Sequence, residues 1–149
     1  MPVTVPFKTT SSDALRPVRA YQGDAGYDLF SIESLELKPF ERRLINTGLR
    51  IQIPEGFGGF ILPRSGLALK QGLSLVNAPG LIDSNYRGEL GVIAINLDPD
   101  NAIHIKAGDR IAQLVIMRVE DVTFEATEAL HESQRGEGGF GSSGVSLDS

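Results

Sequence analysis

Between Leu44 and Pro54 the chain reads Leu-Ile-Asn-Thr-Gly-Leu-Arg-Ile-Gln-Ile-Pro, alternating apolar and polar residues from Leu49 onward before the turn Pro54-Glu55-Gly56. A period of two places successive side chains on opposite faces of a strand, whereas a helix needs apolar residues three and four apart. Leu35-Glu36-Leu37 and Ile103-His104-Ile105 repeat the alternation, and Phe60-Ile61-Leu62 reads as a short buried strand. With 17 glycines and 8 prolines among 149 residues, breaks come too often for long helices. The predicted fold class is all-β.

Val3, Val5 and Phe7 alternate with polar residues, and Pro2 and Pro6 assign that strand to a sheet edge. One segment reads as helical, from Pro63-Arg64-Ser65-Gly66 to Gly72, with Ser65 as the expected N-cap and Gly72 as the stop. Its N-terminus, with Arg64 beside it, either attracts phosphate or is a capped connecting turn. The run from Ile111 to Met117 is too apolar to be exposed on either face, so Gln113 within it needs a partner, a backbone group or a ligand.

The runs Leu73-Ser74-Leu75-Val76 and Val92-Ile93-Ala94-Ile95 flank the segment from Gly80 to Gly91, the pattern of a β-hairpin with a polar tip. Asp83 follows Ile82 there. A carboxylate partly desolvated at that point could act as general base toward water, while Asp-Ser-Asn before a Gly is also ordinary turn chemistry. Asp24 and Asp28 could likewise meet the waters around Mg²⁺, or simply open a turn and strand. Asp98-Pro99-Asp100-Asn101 lacks the Gly and terminal Glu of a calcium loop, and His104 is expected on a solvated face.

Beyond Phe124 the pattern breaks up, and from Ser133 no periodicity is left. The stretch through Gly144 is expected to be a mobile C-terminal arm, which divides the chain into a core of residues 1–132 and an arm of residues 133–149. Gly136, Gly138 and Gly141 match GxGxxG formally, but the motif requires a strand before it and a helix after it. The arm still holds the parts to wrap a phosphorylated base, with Arg135 for phosphate and Phe140 for stacking.

Composition narrows the classes further. The length suits one domain. The absence of cysteine excludes disulfides and thiolate chemistry, and a formal net charge of −5 argues against broad nucleic-acid binding. No leader or membrane-spanning run is expected, which gives a cytoplasmic reading.

Five segments taken in order resemble the trimeric deoxyuridine triphosphatase (dUTPase) family. They are Ala25-Gly26-Tyr27-Asp28-Leu29, Pro63-Arg64-Ser65-Gly66-Leu67-Ala68, Gly80-Leu81-Ile82-Asp83 with Tyr86-Arg87-Gly88, Gly108-Asp109-Arg110-Ile111-Ala112-Gln113, and Arg135-Gly136 with Gly138 through Gly144. The resemblance implies a jelly-roll-like β fold, a homotrimer with active sites shared between subunits, and Mg²⁺-dependent hydrolysis of dUTP to dUMP and pyrophosphate. Such an activity limits uracil in DNA and supplies dUMP for dTMP synthesis.

By the family pattern Asp83 orients the attacking water, and Tyr86 packs on the deoxyribose and excludes a 2′-hydroxyl. Asn77, with the hairpin backbone at Gly80 and Ile82, reads the uracil edge. Arg64, Ser65, Gly66 and Gln113 hold phosphates, and Asp28 reaches Mg²⁺ through its water. On the arm, Arg135, Ser142 and Ser143 serve the terminal phosphate, Phe140 covers the base, and Gly141 is a further substrate contact. Ser143 stands where many relatives have Thr, which keeps the hydroxyl. The related dCTP deaminases carry a catalytic Glu on the strand after the hairpin, where this chain has Val92-Ile93-Ala94-Ile95-Asn96 and no acid. A non-catalytic nucleotide-binding trimer would have no need of a water-positioning Asp83.

Overall fold

The computed structural model describes residues 1–147. The expected all-β, jelly-roll-like architecture with one short helix is borne out. Eleven strands and one helix make up its regular structure among the described residues. The largest sheet has four antiparallel strands in the order β2 (Tyr27–Phe30), β11 (Arg110–Arg118), β6 (Phe57–Leu62) and β8 (Gly80–Ile82). A second sheet has the order β4 (Arg42–Asn46), β9 (Gly91–Asn96), β7 (Leu73–Leu75). Two further pairs join β1 (Phe7–Thr9) to β5 (Leu49–Ile51) and β10 (Ile103–Ile105) to β3 (Leu35–Leu37).

Alternation decides what each strand buries. In β9, Val92, Ala94 and Asn96 point into the core while Ile93 faces out. Leu49, Ile51 and Ile53 point inward from β5 and its extension, and Leu29, Leu37 and Ile45 meet them. His104 is exposed, as expected, and its Nδ1 lies 3.5 Å from Glu36 Oε2 across the β10–β3 pair.

Four strand segments differ from the sequence reading. The run from Leu44 to Pro54 is divided, because Gly48 adopts φ +69° and turns the chain between β4 and β5. The N-terminal strand starts at Phe7, after Pro6, although the Pro6 carbonyl still accepts a bond from Gln52 N at 2.8 Å and Val5 packs against the core. The flanks of the expected hairpin do pair, Leu73 with Asn96 and Leu75 with Ala94. The segment between them is not a simple tip, because Gly80–Ile82 crosses to the other sheet and pairs with β6. Finally, Met117 at the end of β11 is 52% exposed, so that end of the strand lacks cover within one chain.

The helix α1 (Ser65–Gln71) ends as expected at Gly72, whose φ of +73° makes the left-handed cap. Its N-cap is Arg64 rather than Ser65, with no side-chain capping bond. The Arg64 carbonyl accepts the first helical bond, from Ala68 N at 3.0 Å, so Ser65 is already the first helical residue. Beyond β11, residues 119–147 contain no strand or helix, and positions 148 and 149 of the arm lie outside the described residues.

Candidate active site

The central pairing brings three sequence-distant elements level with one another. Gln113 of β11 stands opposite Asp28 of β2 on one side and Leu62 of β6 on the other. Two residues beyond Leu62 the chain reaches Arg64 and the head of α1. A cleft of about 330 Å³ opens there, lined by Asp24, Gly26, Asp28, Arg64, Ser65, Gly66 and Gln113, with Ala20 and Ala25.

Asp28 is buried and held by two arginines: Arg64 Nε at 3.2 Å from Oδ1 and Arg110 Nε at 2.9 Å from Oδ2. The N–H groups of Ser65 and Gly66 precede the first intrahelical bond, so they have no acceptor within the helix. Gln113 finds the backbone alternative for its partner, with Nε2 donating to the Pro63 carbonyl at 2.9 Å. Gly26 makes room for it, because a Cβ there would stand 2.2 Å from Gln113 Oε1.

Asp83 and Tyr86 form a second group. Tyr86 N–H donates to the Asp83 carbonyl at 3.1 Å, and its hydroxyl donates to the Glu89 carbonyl at 2.9 Å. Arg87 Nη1 closes the turn on the carbonyls of Ser84 and Tyr86, at 2.7 and 2.9 Å. Asn77 and Gly80 lie together before this loop, at the start of β8. The expected desolvation of Asp83 is not found within the chain: the loop leaves the sheet after Ile82 and carries Asp83 into solvent.

One chain does not bring the two groups together. Strand β8 runs antiparallel to β6, with Ile61 opposite Gly80 and Gly59 opposite Ile82. Asp83 therefore continues past Gly59, while Arg64 lies beyond Leu62 at the other end of β6. From position 59 to position 64 an extended chain covers about 17 Å at roughly 3.4 Å per residue. Asp83 and Arg64 of one chain are too far apart to meet on neighbouring phosphates.

The arm residues form a third group, shaped by local turns. Arg135 Nε donates to the Gly138 carbonyl at 2.6 Å, and Ser142 N–H to that of Gly139 at 3.1 Å. Phe140, Gly141, Ser142 and Ser143 are all exposed.

Asp24, read from the sequence only as a possible partner of Asp28 near Mg²⁺, lines the cleft, and Arg110, to which the sequence reading assigns no role, completes the clamp on Asp28. Asp24 stands out in the sequence only through its spacing from Asp28. Arg110 is signalled by its place directly after a Gly-Asp turn, at the head of an apolar strand. Among the described residues no group of three or more His, Cys, Asp or Glu is placed to hold a metal. Asp28 and Asp24 suit instead a Mg²⁺ ion that keeps its waters and takes its other ligands from a phosphorylated substrate. No helix among the described residues is long and apolar enough to cross a membrane.

An all-β chain whose cleft gathers a buried aspartate, an arginine and free helix N–H groups, with a second arginine on the aspartate, has the build of a phosphate-ester binder. A dUTPase family model matches residues 13–144, and the chain belongs to the dUTPase family. It is similar to the deoxyuridine 5'-triphosphate nucleotidohydrolase of Rhodococcus erythropolis, 53% identical over 142 residues, covering 95% of this chain and 87% of that protein. The corresponding protein of Cutibacterium acnes is 49% identical over 144 residues, covering 97% and 93%. Among solved structures, the Staphylococcus bacteriophage 80alpha dUTPase with dUPNHPP superposes with a TM-score of 0.89 at 35% identity, over 95% of this chain and 99% of that one. A mutant dUTPase of phage phi11 of S. aureus, described with a structural Mg(II) ion, gives a TM-score of 0.79 at 30% identity, over 87% and 99%.

Proposed function

We propose that this chain is a dUTP diphosphatase that hydrolyses dUTP to dUMP and pyrophosphate, working as a homotrimer in the cytoplasm. The observation that supports it best is the division of the site. The phosphate-binding cleft and the Asp83–Tyr86 loop sit at opposite ends of β6, as a site completed between subunits requires. Packing of a second subunit over the loop would also supply the desolvation that Asp83 lacks in one chain.

In this reading Arg64, the Ser65 hydroxyl, the N–H groups of Ser65 and Gly66, and the Gln113 side chain hold the triphosphate. Asp83 accepts a hydrogen bond from water and aims its oxygen at the α-phosphorus. As the oxygen attacks, the bond from the α-phosphorus to the bridging oxygen breaks, pyrophosphate leaves, and Asp83 takes the proton. Asp28 would hold Mg²⁺ through metal-bound water, and the ion would supply neutralisation of phosphate charge. Asn77 and the backbone at Gly80 and Ile82 read the uracil edge, and Tyr86 excludes the ribose 2′-hydroxyl. The arm, residues 133–149 set against a core of 1–132, closes with Phe140 on the base and with Arg135, Gly141, Ser142 and Ser143 on the terminal phosphate. The activity would limit uracil in DNA and supply dUMP for dTMP synthesis.

Pyrophosphate release from dUTP, dTTP, dCTP and UTP with Mg²⁺, for wild type and Asp83→Asn, tests this. Only dUTP is expected to be cleaved efficiently, and Asp83→Asn is expected to lose about 10²-fold or more in kcat. Comparable cleavage of dTTP or UTP, or an Asp83→Asn variant of normal rate, would overturn it.

A further inference from the structure

Strict alternation along β11 would turn Arg110 away from Asp28. Gln113 stands opposite Asp28, so these two side chains share a face of the sheet. Counting back by twos from Gln113 assigns Ile111 to that face and Arg110 to the other. The observed register breaks the count: Ala112 faces Leu29, but Arg110 rather than Ile111 faces Phe30. One extra residue in the strand is a β-bulge, which re-aims the side chain beyond it. Ile111 goes to the core, and Arg110 comes round to the face of Asp28 and Phe30, its guanidinium 5.5 Å from the Phe30 ring centroid.

The bulge thus gives Asp28 a second cation. The carboxylate is the buried member of the trio, its side chain 13% exposed against 35% for Arg64 and 50% for Arg110. A mostly buried carboxylate with a single arginine would be stranded if that arginine moved, an unfavourable change. With two, one can leave. Arg64 is the one placed to do so, since it heads α1 beside the free N–H groups of Ser65 and Gly66.

We propose that Arg110 is a positioning residue: held on Asp28 by the bulge, it frees Arg64 to turn from the carboxylate to the phosphates of the substrate. The proposal rests on the reading above that Arg64 binds phosphate. Arg110 itself stays on Asp28 and does not touch the substrate.

The test is a double-mutant cycle on binding, not turnover, with dUPNHPP titrated calorimetrically into the full chain and melting temperatures recorded in parallel. Arg110→Gln is expected to weaken binding about tenfold, within the range of couplings between contacting charged residues, and Arg110→Lys to recover most of that loss. In an Asp28→Asn background Arg64 has no carboxylate to leave. There Arg110→Gln should change binding less than about twofold. Equal losses in both backgrounds would mean that Arg110 meets phosphate directly and would overturn the proposal. So would unchanged binding by Arg110→Gln, whatever its melting temperature. If Arg64→Gln bound the probe as well as wild type, the phosphate reading would fall and this proposal with it. A weakened Arg64→Gln beside a normal Arg110→Gln would remove this proposal alone. Should Arg110→Gln not fold, Arg110→Met, which keeps the apolar stem and removes the cation, carries the same cycle with the same pattern of losses expected.

Discussion

Tyr86 lies across Gly88, and replacing that glycine by alanine tests what the ring does. A methyl group at position 88 would stand 2.2 Å from the Tyr86 phenol oxygen, 2.4 Å from Cζ and 2.8 Å from Cε2. Carbon atoms make ordinary contact at about 3.5–4.0 Å, so the ring must shift by an ångström or more. Gly88 is not among the glycines of positive φ, so its backbone accepts alanine without strain. The ring is 42% exposed and can swing outward, giving up only its bond to the Glu89 carbonyl. Loss of an exposed bond of that kind costs about 1 kcal/mol or less, and the melting temperature should fall by a few degrees at most. The effect on reaction should be much larger. If the ring packs on the deoxyribose, an ångström of displacement is expected to lower kcat/KM for dUTP by up to about 10²-fold, roughly 2.7 kcal/mol. UTP, which the undisturbed ring excludes, should lose less, so the dUTP to UTP ratio of kcat/KM falls. Steady-state pyrophosphate release on both substrates, with melting curves alongside, measures it. A Gly88→Ala variant that kept the wild-type ratio would refute the role of Tyr86 in sugar selection.

Three further perturbations follow from contacts within the chain. Gly26→Ala forces the Gln113 amide off the Pro63 carbonyl and into the cleft; dUPNHPP binding should weaken about tenfold, the equivalent of one hydrogen bond to a charged group, and unchanged affinity would argue against Gln113 as a phosphate ligand. Asn96 is fully buried and bonds the Leu37 and Asn101 carbonyls and the Asp98 N–H, so Asn96→Ala leaves three backbone groups unpaired and should cost about 3 kcal/mol in urea unfolding at fixed protein concentration; a loss under about 1 kcal/mol would show that water replaces the amide. Asp98 ionises more readily folded than unfolded, chiefly because the Asp100 N–H and then the Asn101 N–H bond its carboxylate. The stability this lends is complete above the ordinary value of 3.8 and is lost as pH falls through the lower folded value. The melting-temperature gap between wild type and Asp98→Ala should therefore hold at neutral pH and narrow in acid, and a constant gap would contradict the assignment.

What the sequence revealed and what it hid divide along a physical line. Alternation is a property of one strand, so the inward faces at Leu49 and Ile51, and the solvated His104 between two buried isoleucines, could be read without knowing any neighbour. The stop at Gly72 is equally local. The crossing of Gly80–Ile82 to β6 is not, because a three-residue apolar run suits either sheet until its partner is known. The bulge before Ala112 is more hidden still. It exists only as a mismatch between two strands, and the sequence of β11 alone assigns Arg110 to the wrong face.

The site residues were legible for a different reason: their chemistry alone left Arg64, Ser65 and Asp83 between a site and ordinary turns, and the ordered resemblance of five segments to the dUTPase family decided for the site and implied that subunits share it. The geometric reason for sharing it was not legible. The antiparallel pairing of β6 with β8 sends Asp83 and Arg64 in opposite directions, and no rotamer change closes a gap set by five residues of extended backbone. The same geometry therefore argues for a site shared between copies of the chain more strongly than any exposed apolar patch does. A surface patch such as Leu44 and Ile93 on paired strands can be covered in many ways, but under the roles proposed for them Asp83 meets a phosphate held at Arg64 only when the two come from different copies.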